Sequence, residues 1–119
     1  MAWHGQDPTN ITDVSTFEKQ AMRPTEVLPP MEGSNMSCAF SHIFQGGYSA
    51  GYYSYKWAEV LDADAFELFK EKGLFDKETA QKFRNLLSAG GTKHPMDLYK
   101  DFRGREPKVE VLLKRAGLV

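Results

Sequence analysis

Apolar positions recur at helical intervals along most of this chain and show no convincing two-residue alternation of a half-buried strand. The first clear run takes Asn10 as cap, with Asp13 three residues on. It carries Val14, Phe17, Ala21 and Met22, and Pro24 should stop it. From Pro24 to Ser37, Pro29 and Pro30 with Gly33, Ser34 and Asn35 describe an extended connector. Met36 to Phe44 is short and apolar, a pattern shared by a strand, a single helical turn and a buried loop.

A long helix is expected over about 48–72, closed by Gly73 in the left-handed position that follows a helix C-terminus. At roughly 1.5 Å per residue it would be about 37 Å long. One stripe on it runs Tyr53, Trp57, Val60 or Leu61, Asp64 and Leu68; a second runs Tyr48, Tyr52, Tyr55 and Glu59. Asp76 should cap the next helix, which presents Ala80, Phe83, Leu86 and Leu87 on one face and stops at Gly90 and Gly91. Pro95 opens another with Met96, Tyr99 and Phe102, and His94 before it is a cap candidate. A last helix starts near Pro107, buries Val109, Leu112, Leu113 and Ala116, and ends at Gly117.

The pattern therefore predicts an all-α fold of five helices. Residues 1–35 would form a helix end, a short helix and a Pro-rich connector, and residues 36–119 the main helical region. The long helix is apolar or aromatic on more than one side, and four short helices give it little cover. The chain is accordingly expected either to form a homo-dimer or to be a piece of a larger helical protein. Met1-Ala2-Trp3-His4, which has no cap, looks like the end of a helix begun upstream and favours the second.

Composition narrows the function classes. At 119 residues the chain suits one domain, which would bury roughly two-thirds of its unfolded surface. Its 15 basic and 16 acidic residues give a net charge of -1 and are scattered, which argues against a nucleic-acid partner. The single cysteine, Cys38, excludes an internal disulfide, fits a reducing compartment and is expected to be a small buried apolar residue. No basic start followed by an apolar run marks a signal peptide, and no stretch approaches the roughly 20 apolar residues of a membrane span. A cytoplasmic location without membrane contact is expected.

Candidate chemistry concentrates between His42 and Val60, which holds four tyrosines, Trp57, one histidine and three glycines. On a helix, Tyr48, Tyr52 and Tyr55 at i, i+4 and i+7 would project from one face as a rail of phenols. A phenol stays protonated to a pKa of about 10 and can donate a hydrogen bond to a peptide carbonyl or a developing oxyanion. Gly46-Gly47 permits backbone conformations closed to other residues, and His42 could add a further donor. The same stripe at the same spacing also suits plain core, and the residues alone leave both open. No H-E-x-x-H occurs at His4, His42 or His94, no cluster has metal-ligand spacing, and the glycines fit neither a phosphate loop nor a dinucleotide fingerprint.

The run from Phe40 through Gln45-Gly46-Gly47-Tyr48 and Gly51-Tyr52-Tyr53-Ser54-Tyr55 to Val60 closely resembles the C-terminal region of the thimet oligopeptidase family of zinc metallopeptidases. The likeness continues through Asp62-Ala63-Asp64-Ala65-Phe66, Phe83-Arg84, Gly90-Gly91 and Phe102-Arg103-Gly104-Arg105-Glu106-Pro107 to Gly117-Leu118. This resemblance implies the C-terminal piece of a larger two-lobed, neurolysin-like helical oligopeptidase or peptidyl-dipeptidase acting on short peptides. Zinc would be bound in the full-length enzyme by residues outside this chain, and none here. By the same resemblance, His42, Gly46, Gly47, Tyr48, Tyr52 and Tyr55 would contact the peptide. Tyr55 and Tyr52 would stabilise the tetrahedral intermediate, with Tyr55 slightly favoured. Lys56 departs from the apolar residue expected beside them. The alternative is a helical module that binds peptides without cleaving them.

Overall fold

The computed structural model describes residues 1–119, all helix and connecting turn without a strand, in two compact units, Met1–Tyr53 and Ser54–Val119.

In the first unit Asp7, followed by Pro8, caps a 3-10 turn over Pro8–Asn10. Asn10 is thereby used inside that turn, and Asp13 instead caps α1, Val14–Met22. Its carboxylate accepts the backbone N–H groups of Ser15 and Thr16 and the Thr16 hydroxyl at 2.6 Å. Pro24 falls in a 3-10 turn over Arg23–Thr25, just after α1 has ended. Met36–Ala39 forms a one-turn helix, α2, and Ser41–Ile43 a further 3-10 turn. The short apolar stretch is thus helical and adds a sixth α-helix to the five expected.

Polar contacts close the Pro-rich connector back onto α1. Glu18 accepts the backbone N–H groups of Met36 (2.5 Å) and Ser37 (2.7 Å) and the Ser37 hydroxyl. Asn35 donates to the Ser15 hydroxyl at 3.1 Å. The first residues make a 3-10 turn over Ala2–His4. Trp3 packs edge-on against Phe17 with centroids 4.5 Å apart, and His4 Nε2 lies 2.7 Å from the Ile43 carbonyl oxygen. Cys38 is exposed, against expectation, because α2 is a single turn and buries no residue.

The second unit contains α3 (Ser54–Lys72), α4 (Lys77–Ser88), α5 (Pro95–Arg103) and α6 (Val109–Arg115). Helix α3 packs on α6 and α4, and α4 packs on α5. Ala65, Leu68, Tyr99 and Phe102 form the buried centre, with Leu61, Phe69, Phe83 and Leu86 around it. The expected punctuation is present: the Asp76 carboxylate accepts Thr79 N–H at 2.7 Å, and His94 Nδ1 accepts Met96 N–H at 3.2 Å. Gly73 and Gly117 follow their helices with positive φ. The predicted faces are covered only in part: Ala80 and Leu87 of α4 and Val109 and Ala116 of α6 are exposed, and Val111, Leu112 and Leu113 are half-buried. No helix is long and apolar enough to cross a membrane.

Candidate functional site

The segment before α3 is shaped by three left-handed residues, Gly46 (φ 73°), Gly47 (φ 75°) and Ala50 (φ 54°). None of these conformations belongs to a right-handed helix. The chain therefore turns through residues 45–53, with Tyr48 N–H donating to the Gln45 carbonyl and Gly51 N–H to the Tyr48 carbonyl. Helix α3 begins at Ser54 and has 19 residues, so the helix expected from 48 is shorter by its first turns. Tyr48 and Tyr52 precede this helix and do not stand on its face. Gly46 is favoured on two counts, because a Cβ there would also lie 3.2 Å from Cδ2 of the Tyr48 ring.

The turn instead gathers rings around His42. Its imidazole lies 4.9 Å from the Tyr48 ring and 5.3 Å from the Tyr52 ring, centroid to centroid, and the two phenol rings are 5.7 Å apart. Phe40 completes the cluster at 5.1 Å from His42 and 4.7 Å from Tyr52. Four of the predicted residues, His42, Gly46, Tyr48 and Tyr52, thus share one place in the first unit, with Gly47 in the adjoining turn. Tyr55 belongs to the second unit, half-exposed in the first turn of α3. Lys56 beside it pairs with Glu59 at 2.9 Å. Sequence reasoning had passed over Phe40, although the Phe-x-His spacing places it two residues from the histidine.

A second polar centre, unforeseen as such, lies inside the helical unit. Asp64 was expected on an apolar stripe and is wholly buried there. It accepts the Tyr99 hydroxyl at 2.7 Å and two Arg105 N–H groups at 2.8 and 3.1 Å. Arg103 Nε lies 3.6 Å away, and the Arg103 guanidinium also forms a paired contact with Glu71 at 2.7 and 3.2 Å. Burial alone would raise the Asp64 pKa, but hydrogen bonds from Arg105 and Tyr99 and the two guanidinium charges outweigh it and hold it below the usual carboxylate value. Burial and the Asp64 carboxylate push the Tyr99 phenol up, so it remains a donor. An aspartate within a buried stripe, with arginines on either side of Gly104, was the available signal. This cluster joins α3 to α5 and to the Gly104–Glu106 turn.

No group of three or more His, Cys, Asp or Glu side chains is placed to hold a metal ion. An apolar cavity of about 650 Å³ lies among α3, α4 and α5, walled by Trp57, Leu61, Phe66, Phe69 and Phe83. None of the predicted site residues lines it.

The sequence model of peptidase family M3 matches residues 1–118. Organellar oligopeptidase A (chloroplastic/mitochondrial) of Arabidopsis thaliana is 51% identical over 117 residues, covering 94% of this chain and 14% of that protein. Oligopeptidase A of Escherichia coli K12 is 55% identical over 93 residues, covering 77% of the chain and 14% of its own length. Dipeptidyl carboxypeptidase of Salmonella typhimurium is 36% identical over 121 residues, covering 99% of the chain and 18% of its own length. The chain spans less than a fifth of each of these relatives.

Proposed function

The chain belongs to peptidase family M3, and from that premise we propose that it supplies peptide-contacting residues of a zinc-dependent oligopeptidase or peptidyl-dipeptidase. The observation that carries this reading is the His42–Tyr48–Tyr52 cluster, formed by a glycine turn in which a Cβ at Gly46 would crowd the Tyr48 ring at 3.2 Å. Two phenols and an imidazole at that spacing offer several hydrogen-bond donors to one extended backbone. Gly46 and Gly47 allow the turn that carries Tyr48. Tyr52 and Tyr55 are assigned the hydrogen bond to the oxyanion that develops when a peptide carbonyl is attacked, with Tyr55 slightly favoured. Such a donor is worth on the order of 3 kcal/mol in the transition state.

The donor set of this chain does not fit zinc, since its carboxylates, histidines and thiol nowhere converge in threes. The metal of the complete enzyme would be held by residues outside these 119, so the chain alone is proposed to bind no stoichiometric zinc and to hydrolyse no peptide. The cytoplasmic location is retained as a proposal.

The test is Tyr55→Phe and, separately, Tyr52→Phe in the full-length polypeptide that carries this chain. Turnover of a short peptide should fall by about 100-fold for whichever hydroxyl meets the oxyanion, consistent with the roughly 10²–10³-fold effect of losing one such donor. Metal content should not change. Turnover unaffected by either substitution would refute the assigned roles.

A further inference from the structure

We infer that Phe40 is a positioning residue for Tyr52 and His42, an inference that rests on the peptide-contacting role proposed for those two side chains. Phe40 stands where the chain leaves α2 and enters the Ser41–Ile43 turn. Its ring meets the Tyr52 ring at 4.7 Å and 88°, the edge-to-face arrangement that the aromatic quadrupole favours. The same ring lies against His42 at 5.1 Å with the planes tilted by 38°. One side chain without a polar atom therefore borders both polar rings. Its side chain neither donates nor accepts a hydrogen bond, so any effect on the polar contacts to a bound peptide must pass through its neighbours.

The support behind Phe40 is unusually direct for so short a helix. Its backbone N–H bonds to the Met36 carbonyl at 2.8 Å, and Met36 and Ser37 are themselves held by the Glu18 carboxylate from α1. A path of contacts thus runs from α1 through Glu18 and α2 to Phe40, and from Phe40 to the two rings. An unsupported tyrosine loses rotamer freedom when it binds, and that loss weakens the interaction it makes. A ring packed on Tyr52 beforehand removes part of the loss, and misplacement of the hydroxyl by a fraction of an ångström is enough to matter for catalysis.

The experiment is a double-mutant cycle in the full-length polypeptide, reading kcat and KM for a short peptide together with metal content and thermal midpoint. Phe40→Leu should lower kcat/KM about ten-fold at unchanged metal content. Phe40→Tyr, which keeps the ring, should stay within about two-fold of the parent. In Tyr52→Phe and in His42→Gln backgrounds the same Phe40→Leu change should cost only about three-fold, because the group being positioned is already impaired. An equal loss in all three backgrounds would show that Phe40 serves only the fold, and no loss in the parent would likewise overturn the inference. Should Tyr52→Phe and His42→Gln each leave hydrolysis untouched, the peptide-contacting role fails, and the positioning role falls with it. If Phe40→Leu loses metal or lowers the midpoint, Phe40→Met, unbranched and similar in bulk, takes its place in the same cycle.

Discussion

Replacing Asp64 by asparagine keeps the shape of a wholly buried side chain and removes its charge. The parent carboxylate accepts three hydrogen bonds, one from Tyr99 and two from Arg105. Asparagine offers one oxygen and an NH₂ that cannot accept, so at least one of these donors is stranded. Hydrogen bonds to a charged group contribute about 1.5–3 kcal/mol each. Breaking a buried ion pair by removing one partner costs about 3–5 kcal/mol. Arg105 is partly exposed and still donates to the Glu106 carbonyl, so it can be rehydrated. Arg103 is only 7% exposed, and its Nε has no other partner. These opposing considerations place the loss near the lower limit, at about 3 kcal/mol.

With a urea slope of about 1.5 kcal/mol per molar, such a loss lowers the unfolding midpoint by about 2 M. Helical circular dichroism against urea is the assay. Asp62→Asn, on the same helix, is the control: the Asp62–Arg115 pair is 2.7 Å long but its side chains are 69% and 49% exposed. Exposed pairs contribute about 0–1 kcal/mol, so the control should move the midpoint by less than about 0.7 M. The acid limb gives a second readout. The Asp64 pKa is lowered on folding, so its stabilisation is complete above the unfolded value of about 4 and is lost as pH falls through the lower folded value. The Asp64→Asn variant should therefore show a flatter stability profile below about pH 4. Equal midpoint shifts for the two variants, or an unchanged acid limb, would refute the argument.

Two further outcomes follow from the geometry of the turn and the ligand groups. Gly46→Ala should destabilise the first unit by about 1–2 kcal/mol through its left-handed backbone alone, and the 3.2 Å approach to the Tyr48 ring should displace that ring from His42. Loss of nuclear Overhauser contacts between the two rings would report this, and their persistence would contradict it. For zinc, equilibrium dialysis of the isolated chain should find no stoichiometric ion; one tightly bound zinc per chain would sink that expectation.

The helical class and most helix ends were legible because each rests on local chemistry. Asp76, His94, Gly73 and Gly117 act where their side chains or conformational freedom predict. The N-terminal cap was misassigned because Asn10 and Asp13 both suit the role. Pro8, pre-set for the start of a turn and preceded by Asp7, drew Asn10 into a separate 3-10 turn. The Asp64 cluster was less legible for another reason. Its partners Tyr99 and Arg105 are 35 and 41 positions away, and periodicity describes which face a residue occupies without identifying what meets it there.

The tyrosine segment shows how far spacing can mislead when it is read without backbone preference. The intervals between Tyr48, Tyr52 and Tyr55 are those of a helix face, but Gly46, Gly47 and Gly51 fall within or beside the first of them. Glycine in a helix interior costs about 1 kcal/mol relative to alanine, and a helix must form its first turn before packing can reward it. The positive φ at Gly46, Gly47 and Ala50 commits the segment to turns, and α3 starts only at Ser54. This rearrangement changes the chemistry available. A straight rail would line up phenols along one direction, whereas the turn folds Tyr48 and Tyr52 back around His42, whose ring nitrogens can both donate and accept. The glycines therefore act less as a hinge beside the site than as the reason the first unit has a three-ring polar cluster.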